Sequence, residues 1–395
     1  MRQLGAWGMG CIAVGLGISP SLTSIGVALV AISSLWHKES LASLRDTLHL
    51  HWPIATLYLL QALSWFYTED NAQWWVEMRV KLPMLFLLPF SYAAWRELAT
   101  SAQRWIHLLY HLTLIAVGMH AWVWSLLHPQ EMAWLTYSGK YVRFIGGISH
   151  IYYAGLIGMG FFLLWLLPLP AYERTIRWVI ALLYSVILHG LALRTGLIAL
   201  YGVVIFFLLG WMLKHPKRWI IGLLVIAGGI GGLAWGVHCL KPLRNRWNHM
   251  RWDLHQYKPG RYISHTSLTR RLAALEASWY VFRSSPWWGI GIADNQKAVF
   301  AVIPKLPYHW EKQHYILPHN QFVEYALGLG LIGIGVFTSF WVGAWRSSRW
   351  IIWRGWLVFW LLLLQGEAFL ERQVGVTAFL WGTGILWALL KEEPL

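Results

Sequence analysis

Apolar residues gather into long runs, broken by short polar joints, over most of the chain. The runs fall at about 4–18, 20–36, 53–67, 80–95, 105–128, 149–168, 176–193, 195–213, 219–238, 319–344, 349–366 and 373–390. A helix crossing a bilayer needs roughly 20 such residues. A backbone in lipid must satisfy its own hydrogen bonds, so each run predicts a helix. The pattern therefore predicts an all-α polytopic membrane protein with about twelve transmembrane helices, built as one integrated domain. Helices 1–9 lie in 1–240 and helices 10–12 in 319–395. Abutting runs such as 4–18 and 20–36 predict a retained helical hairpin rather than a cleaved signal peptide, since a basic leader and a small-x-small site are missing.

Between these blocks, 241–318 breaks the pattern and predicts one large extramembrane loop with short helices. Within it, Leu268, Leu272, Leu275, Trp279 and Phe282 recur at steps of four and three. That spacing predicts an amphipathic helix lying in the membrane interface, capped by Thr266 or Ser267, with Arg270 and Arg271 near its start. Pro286 ends it in "SSPWWGIGIADN". The Gly289-x-Gly291 pair there predicts a tight turn; no strand–turn–helix unit surrounds it to make a dinucleotide site.

Composition agrees with lipid: 57% of residues are hydrophobic, 12% are charged, and 30 are Trp. A soluble chain of 395 residues needs more charge to cover its surface. The net charge of +15 invites a nucleic-acid partner. In a membrane protein, however, basic residues first report orientation. With the N-terminus in the cytoplasm, the short inner connections carry fourteen Lys or Arg and the short outer ones six. The remaining twelve fall in 241–318, together with only four acids and many Trp and Tyr. Long loops escape the charge rule, so this topology places that segment outside and both termini inside. Such a loop can rest on anionic headgroups, or it can form a cleft for a phosphorylated, sugar-bearing lipid. Membrane lipids are expected partners and nucleic acid is not. Cys11 and Cys239 predict no disulfide.

Ionisable residues at the outer helix ends are the candidate chemistry, because such groups are costly in a membrane. They are Lys81, Arg143, His150, Arg194, Arg271 and His319. Arg194 sits between two apolar runs with almost no loop; it is either a snorkelling anchor or an anion clamp, for which a guanidinium fork suits phosphate oxygens. His319 follows Pro318 at a helix start. It is either a polar residue beside a cap or a base able to take a hydroxyl proton near neutrality. Asn320 and Gln321 offer further donors for sugar or phosphate oxygens. Gly328, Gly330, Gly333 and Gly335 predict close helix packing. The scattered histidines have no metal-ligand spacing, so no metal and no cofactor are expected.

In order along the chain, "RFIGGISHIYYAG", "LRTGLIAL", "TRRLAALEAS" with "SSPWWGIGIADN", and "PHNQFVEYALGLGLIG" resemble the motifs of the O-antigen ligase and O-antigen polymerase superfamily of bacterial membrane glycosyltransferases. The resemblance covers most of the chain beyond about residue 140. It puts the family arginines on Arg194 and Arg271, the family histidine on His319, and a weaker His-x-x-Tyr element on His150 and Tyr153. Leu275 stands where an aromatic residue is expected and Ala293 where a further glycine is usual.

What the resemblance implies is a GT-C-like fold in the bacterial inner membrane with a periplasmic active site. The donor would be a glycan on undecaprenyl diphosphate, transferred with inversion and without a metal. In the ligase branch the acceptor is a sugar hydroxyl of lipid A–core; in the polymerase branch it is a second lipid-linked glycan. Arg194 and Arg271 would hold the diphosphate and His319 would orient or deprotonate the acceptor, with Arg270, Asn320, Gln321, Lys81, Arg143, His150 and Tyr153 as further substrate contacts. A transporter of an anionic glycolipid is the other class in play; it would more often show an internal repeat and would have little need of so large an outer loop.

Overall fold

Helix follows helix along the chain. The computed structural model describes residues 2–36, 39–137, 144–166, 173–191, 193–239, 241–264 and 266–392. It is 85% helical, and no strand forms among the described residues. α1 (Arg2–Ile18) and α2 (Pro20–Leu35) make a hairpin at Ser19, whose hydroxyl accepts from the Leu22 amide at 3.3 Å. Pro20 fills the first helical position of α2, where a missing N–H is tolerated. Next come α3 (Glu39–Leu63), α4 (Asn71–Lys81), α5 (Leu87–Glu97), α6 (Thr100–Leu127) and α7 (Pro129–Tyr137). α8 (His150–Leu166), α9 (Glu173–Gly190), α10 (Arg194–Lys214) and α11 (Trp219–Cys239) complete the first block. α12 (Lys241–Gln256), α13 (Ser267–Ser284) and α14 (Asn295–Val302) occupy the polar segment; α15 (Gln321–Ser347), α16 (Ile351–Gly366) and α17 (Gln373–Glu392) close the chain.

The apolar runs fall on helices, with one correction. The run 80–95 is not one helix: it ends α4, passes through a 3-10 turn at Leu82–Leu85 and resumes as α5. Pro83 has no N–H to give the ladder, and Phe86 steps out of helical geometry at φ −148°. Five helical stretches are long and apolar enough to cross a membrane: Thr100–Leu127, Arg194–Lys214, Pro216–Gly236, Gln321–Ser347 and Gln373–Lys391. α2, α8 and α16 are apolar but shorter. The fold is that of an all-helical polytopic membrane protein.

Burial is uneven in the way lipid predicts. In the most apolar window of α17, 83% of residues are buried, against 12% in the span containing α11. The inner helix is walled by protein and the outer one shows its Leu and Ile side chains to the surroundings. Tryptophan fills much of the core between α16 and α17: Trp353, Trp356, Trp360 and Trp381 are all but fully buried. A buried indole needs an acceptor for its N–H. Trp353 donates to the Ala344 carbonyl at 2.6 Å, and Trp356 donates to the Thr383 hydroxyl at 3.2 Å.

The segment 241–318 is not a slack loop. It has its own apolar cluster, including Ile263, Ala273, Ala277, Val281, Val299, Ile303 and Trp310, closed by Leu327 of α15. Two expectations change. The face of α13 that packs inward is made of Thr269, Ala273, Ala274, Ala277, Ser278 and Val281; Leu275 and Trp279 point outward. Small side chains let the helix approach its neighbours closely, while Leu268, Leu272 and Phe282 of the larger apolar stripe are half-buried and Leu275 and Trp279 are exposed. Neither Thr266 nor Ser267 caps α13 through its side chain. The cap comes from α12, where the Asp253 carboxylate accepts from the Ser267 and Leu268 amides, both at 3.0 Å.

The Gly289-x-Gly291 turn docks into a break in α15. Gly289 and Gly291 have φ of 72° and 94°, and Gly330 interrupts α15 at φ 63°, ψ −156°. The carbonyls released by that break accept from the turn: Ile290 N–H to Leu327 O at 2.8 Å, Gly291 N–H to Gly328 O at 3.1 Å. Leu331 N–H returns a bond to Pro286 O at 2.8 Å. Gly330 thus serves a backbone junction rather than ordinary helix packing, and that junction ties α13 to α15. On its far side, Asp294 accepts from Thr68 Oγ1 at 2.8 Å, Glu69 N–H at 2.9 Å and Asp70 N–H at 3.2 Å, which latches the segment to the joint before α4.

Candidate functional site

Four helices begin around one cleft: α8 at His150, α10 at Arg194, α13 at Ser267 and α15 just after His319. The cleft measures about 220 Å³ and is lined by His150, Ile151, Ala154, Leu193, Arg194, Thr195, Ser267, Arg270, Arg271, Ile316 and His319. Five of the residues singled out by sequence therefore meet, although they come from four separate stretches: His150, Arg194, Arg270, Arg271 and His319.

The cleft is electropositive for two reasons. Three arginines stand in its wall. Helix N-termini also carry partial positive charge from unpaired amides. Side chains already take some of those amides at three of the four helices. Ser149 Oγ accepts from Ile151 N–H at the start of α8, Asp253 caps α13, and Asn320 Oδ1 accepts from Phe322 and Val323 N–H at 2.9 and 3.2 Å at the start of α15. α10 differs: Leu193 at its cap position supplies no side-chain acceptor. Its amide end and the exposed Arg194 face the cleft together, an arrangement suited to an anion.

The two arginines of α13 do different work. Arg270 donates from Nε to Thr266 O at 2.8 Å and from a terminal nitrogen to His314 O at 3.2 Å, so it staples the helix to the strap before α15. Burial pushes its pKa down, Asp253 opposes that, and neighbouring Arg271 adds to it. Arg271 makes one long contact, 3.5 Å to Gly366 O. Its fork is the less committed of the two.

His319 has the one positive φ among the described non-glycine residues, 51°. A left-handed backbone at such a residue costs about 1–3 kcal/mol and persists where its surroundings over-determine it. Asn320 caps α15 on one side, and the imidazole is held on the other by Glu367, with Nδ1 at 3.0 Å from both carboxylate oxygens. An ionised carboxylate only accepts, so a neutral His319 in this contact carries its proton on Nδ1 and has Nε2 as the ring's acceptor.

The other candidates lie elsewhere. Asn320 is a cap through its oxygen, and its amide donates to Gln365 Oε1 at 2.8 Å. Gln321 is fully buried; its amide donates to Glu371 Oε1 at 2.7 Å and its oxygen accepts from Leu370 N–H at 2.7 Å. Lys81 is also fully buried, paired with Glu371 and with Glu77 at 3.1 Å. Tyr153 points into the bundle, donating to Leu114 O at 2.5 Å and stacking on Phe144. These three side chains are committed to the fold and do not line the cleft. Arg143 lies outside the described residues. Among the described residues, no group of three or more His, Cys, Asp or Glu is placed to hold a metal ion.

Glu367, Gln365 and the Gly366 carbonyl are the groups that motif reasoning missed. A signal was present. Glu367 ends an apolar run at the same end of the bundle as His319, and a carboxylate in such a place is costly unless partnered.

Residues 179–338 match the family model described as O-antigen ligase. Over this stretch the chain is similar to the O-antigen ligase family. Members of that family are glycosyltransferase-like enzymes, and the match covers Arg194, Arg270, Arg271 and His319. His150 and Glu367 fall outside the matched stretch. No curated protein matches the chain.

Proposed function

We propose that this chain is an O-antigen ligase in the strict sense, moving a glycan from undecaprenyl diphosphate to a sugar hydroxyl of lipid A–core at the periplasmic face of the bacterial inner membrane. The observation that carries the reading is the cleft itself: Arg194 at the start of α10, Arg271 and His319 line it together. Two guanidiniums and a helix end suit a diphosphate, and they stabilise the charge that grows on it as it leaves. An imidazole beside them suits the incoming hydroxyl. The reaction inverts the anomeric carbon, since acceptor and leaving group then occupy opposite sides of it. The arginines supply the electrostatic role that a divalent cation plays elsewhere, so no metal is required. The orientation follows the charge rule, with both termini in the cytoplasm and 241–318 outside.

The ligase branch is favoured by the basic excess of 241–318, twelve Lys or Arg against four acids, and by the exposed stripe at Leu275 and Trp279. An anionic glycolipid standing in the same membrane fits such a surface. The test supplies purified protein with undecaprenyl-diphosphate glycan and lipid A–core. A glycosylated core is the expected product. A ladder of lengthened lipid-linked glycans, made without core and with no core product when core is added, would establish the polymerase reading instead.

A further inference from the structure

The last two residues of α16 and the residue that follows it hold both sides of the cleft. Gln365 receives the Asn320 amide at 2.8 Å, the Gly366 carbonyl receives Arg271 at 3.5 Å, and Glu367 receives His319. Three consecutive residues thus bracket the histidine, its neighbour and an arginine that arrives from α13. The bracket is rigidly placed. The Glu367 N–H still bonds to Leu363 O at 3.1 Å, and its extended backbone at φ −159° then turns the side chain off the helix axis. The Glu367 side chain is only 11% exposed, so little water competes for the contact.

We propose that Glu367 is the positioning residue for His319: it holds the imidazole in the tautomer with hydrogen on Nδ1 and keeps Nε2 available to the acceptor hydroxyl. The proposal rests on the transfer reading above. Three observations converge on it. The carboxylate straddles Nδ1 symmetrically, with both oxygens at 3.0 Å. His319 is held at φ 51°, a left-handed backbone that persists where the surroundings fix it. The same short segment also holds Asn320, at 2.8 Å, and touches Arg271, at 3.5 Å, so the ring and the anion-binding fork stand beside one another.

In the transfer step, the acceptor O–H breaks and its proton goes to His319 Nε2. The acceptor oxygen bonds to the anomeric carbon, and that carbon's bond to the diphosphate oxygen breaks, the electron pair leaving with the phosphate. The imidazolium formed is matched by the Glu367 charge already in place. Without that carboxylate the ring can take the opposite tautomer or rotate, and Nε2 no longer meets the hydroxyl as a base.

The test compares Glu367→Gln, Glu367→Asp and Glu367→Ala in the purified full-length protein. In Glu367→Gln, kcat is expected to fall at least about 100-fold while the donor KM stays within about twofold, because orientation is lost and binding is kept. Glu367→Asp should recover part of the rate, and formate should partly rescue Glu367→Ala. A second arm needs no activity: ¹⁵N NMR of labelled histidine, with the His319 signal identified by its loss in His319→Gln. Wild type should show Nδ1 protonated and Nε2 bare, and Glu367→Gln should shift that balance. An unchanged tautomer in Glu367→Gln, or a kcat within threefold of wild type, would overturn the proposal. A wild-type protein that transfers nothing but shows the Glu367-dependent tautomer would instead remove the transferase reading and leave the dyad standing.

Discussion

His319 and Glu367 stand 48 residues apart in the chain, yet the imidazole rests on the carboxylate at 3.0 Å. The pair joins the start of α15 to the end of α16 at the mouth of the arginine-lined cleft. It also gives the histidine's strained backbone a reason to persist. His319→Ala should insert and fold normally and lose most glycan transfer. His319→Gly should lose it equally while being about 1 kcal/mol more stable than His319→Ala, because both lack the imidazole and glycine accepts φ 51° without strain. Transfer assays and thermal unfolding in detergent read the two effects separately. Wild-type transfer by either purified variant would remove the histidine from the mechanism.

The arginines make a sharper contrast. Arg194→Lys and Arg271→Lys keep the charge and lose the planar fork, so each should weaken donor binding about tenfold. Arg270→Ala should behave differently. It removes the staple to Thr266 and His314, so it should lower stability by about 1.5–3 kcal/mol and weaken donor binding less than Arg194→Ala or Arg271→Ala does. Equilibrium binding of a fluorescent lipid-diphosphate glycan, with unfolding midpoints measured in parallel, separates the cases. Donor affinity that stays the same in the lysine and alanine variants of both Arg194 and Arg271 would sink the clamp.

Gly330 is the point where α15 opens to receive the Gly289-x-Gly291 turn. A Cβ there would lie 2.4 Å from the Trp287 carbonyl carbon, on a backbone conformation that side chains avoid. Gly330→Ala should therefore cost at least about 1–3 kcal/mol from the backbone conformation alone. Transfer should fall with it, because the turn couples Arg271 to His319. The loss should appear as a lower midpoint of thermal unfolding; an unchanged midpoint would mean that the junction carries no stability.

Metal dependence is the simplest check on the chemistry. Activity should survive dialysis against EDTA, since the cleft's own guanidiniums do the electrostatic work. Loss of transfer on chelation, restored by a divalent ion, would show a metal in the reaction.

Apolar periodicity by itself determined that this chain is a stack of membrane helices, because lipid leaves the backbone no other way to pair its polar groups. It also marked Arg194 and His319, because a charged group at the end of an apolar run is conspicuous in one dimension, while Arg271 stood out through the motif around it. Local spacing did not reveal that Pro83 and Phe86 split one run in two, or that α13 turns its small residues inward. Partnership was beyond its reach. Lys81, Gln321 and Tyr153 carry the same polar atoms as a binding residue, and only the fold shows those atoms spent on Glu371, Leu370 and Leu114. Glu367 is the reverse case, an unremarked acid until α16 packs beside α15 and sets it against His319. Helix formation is decided within a few residues of sequence. The protonation and aim of a side chain are decided by whatever the tertiary structure brings within 3 Å of it.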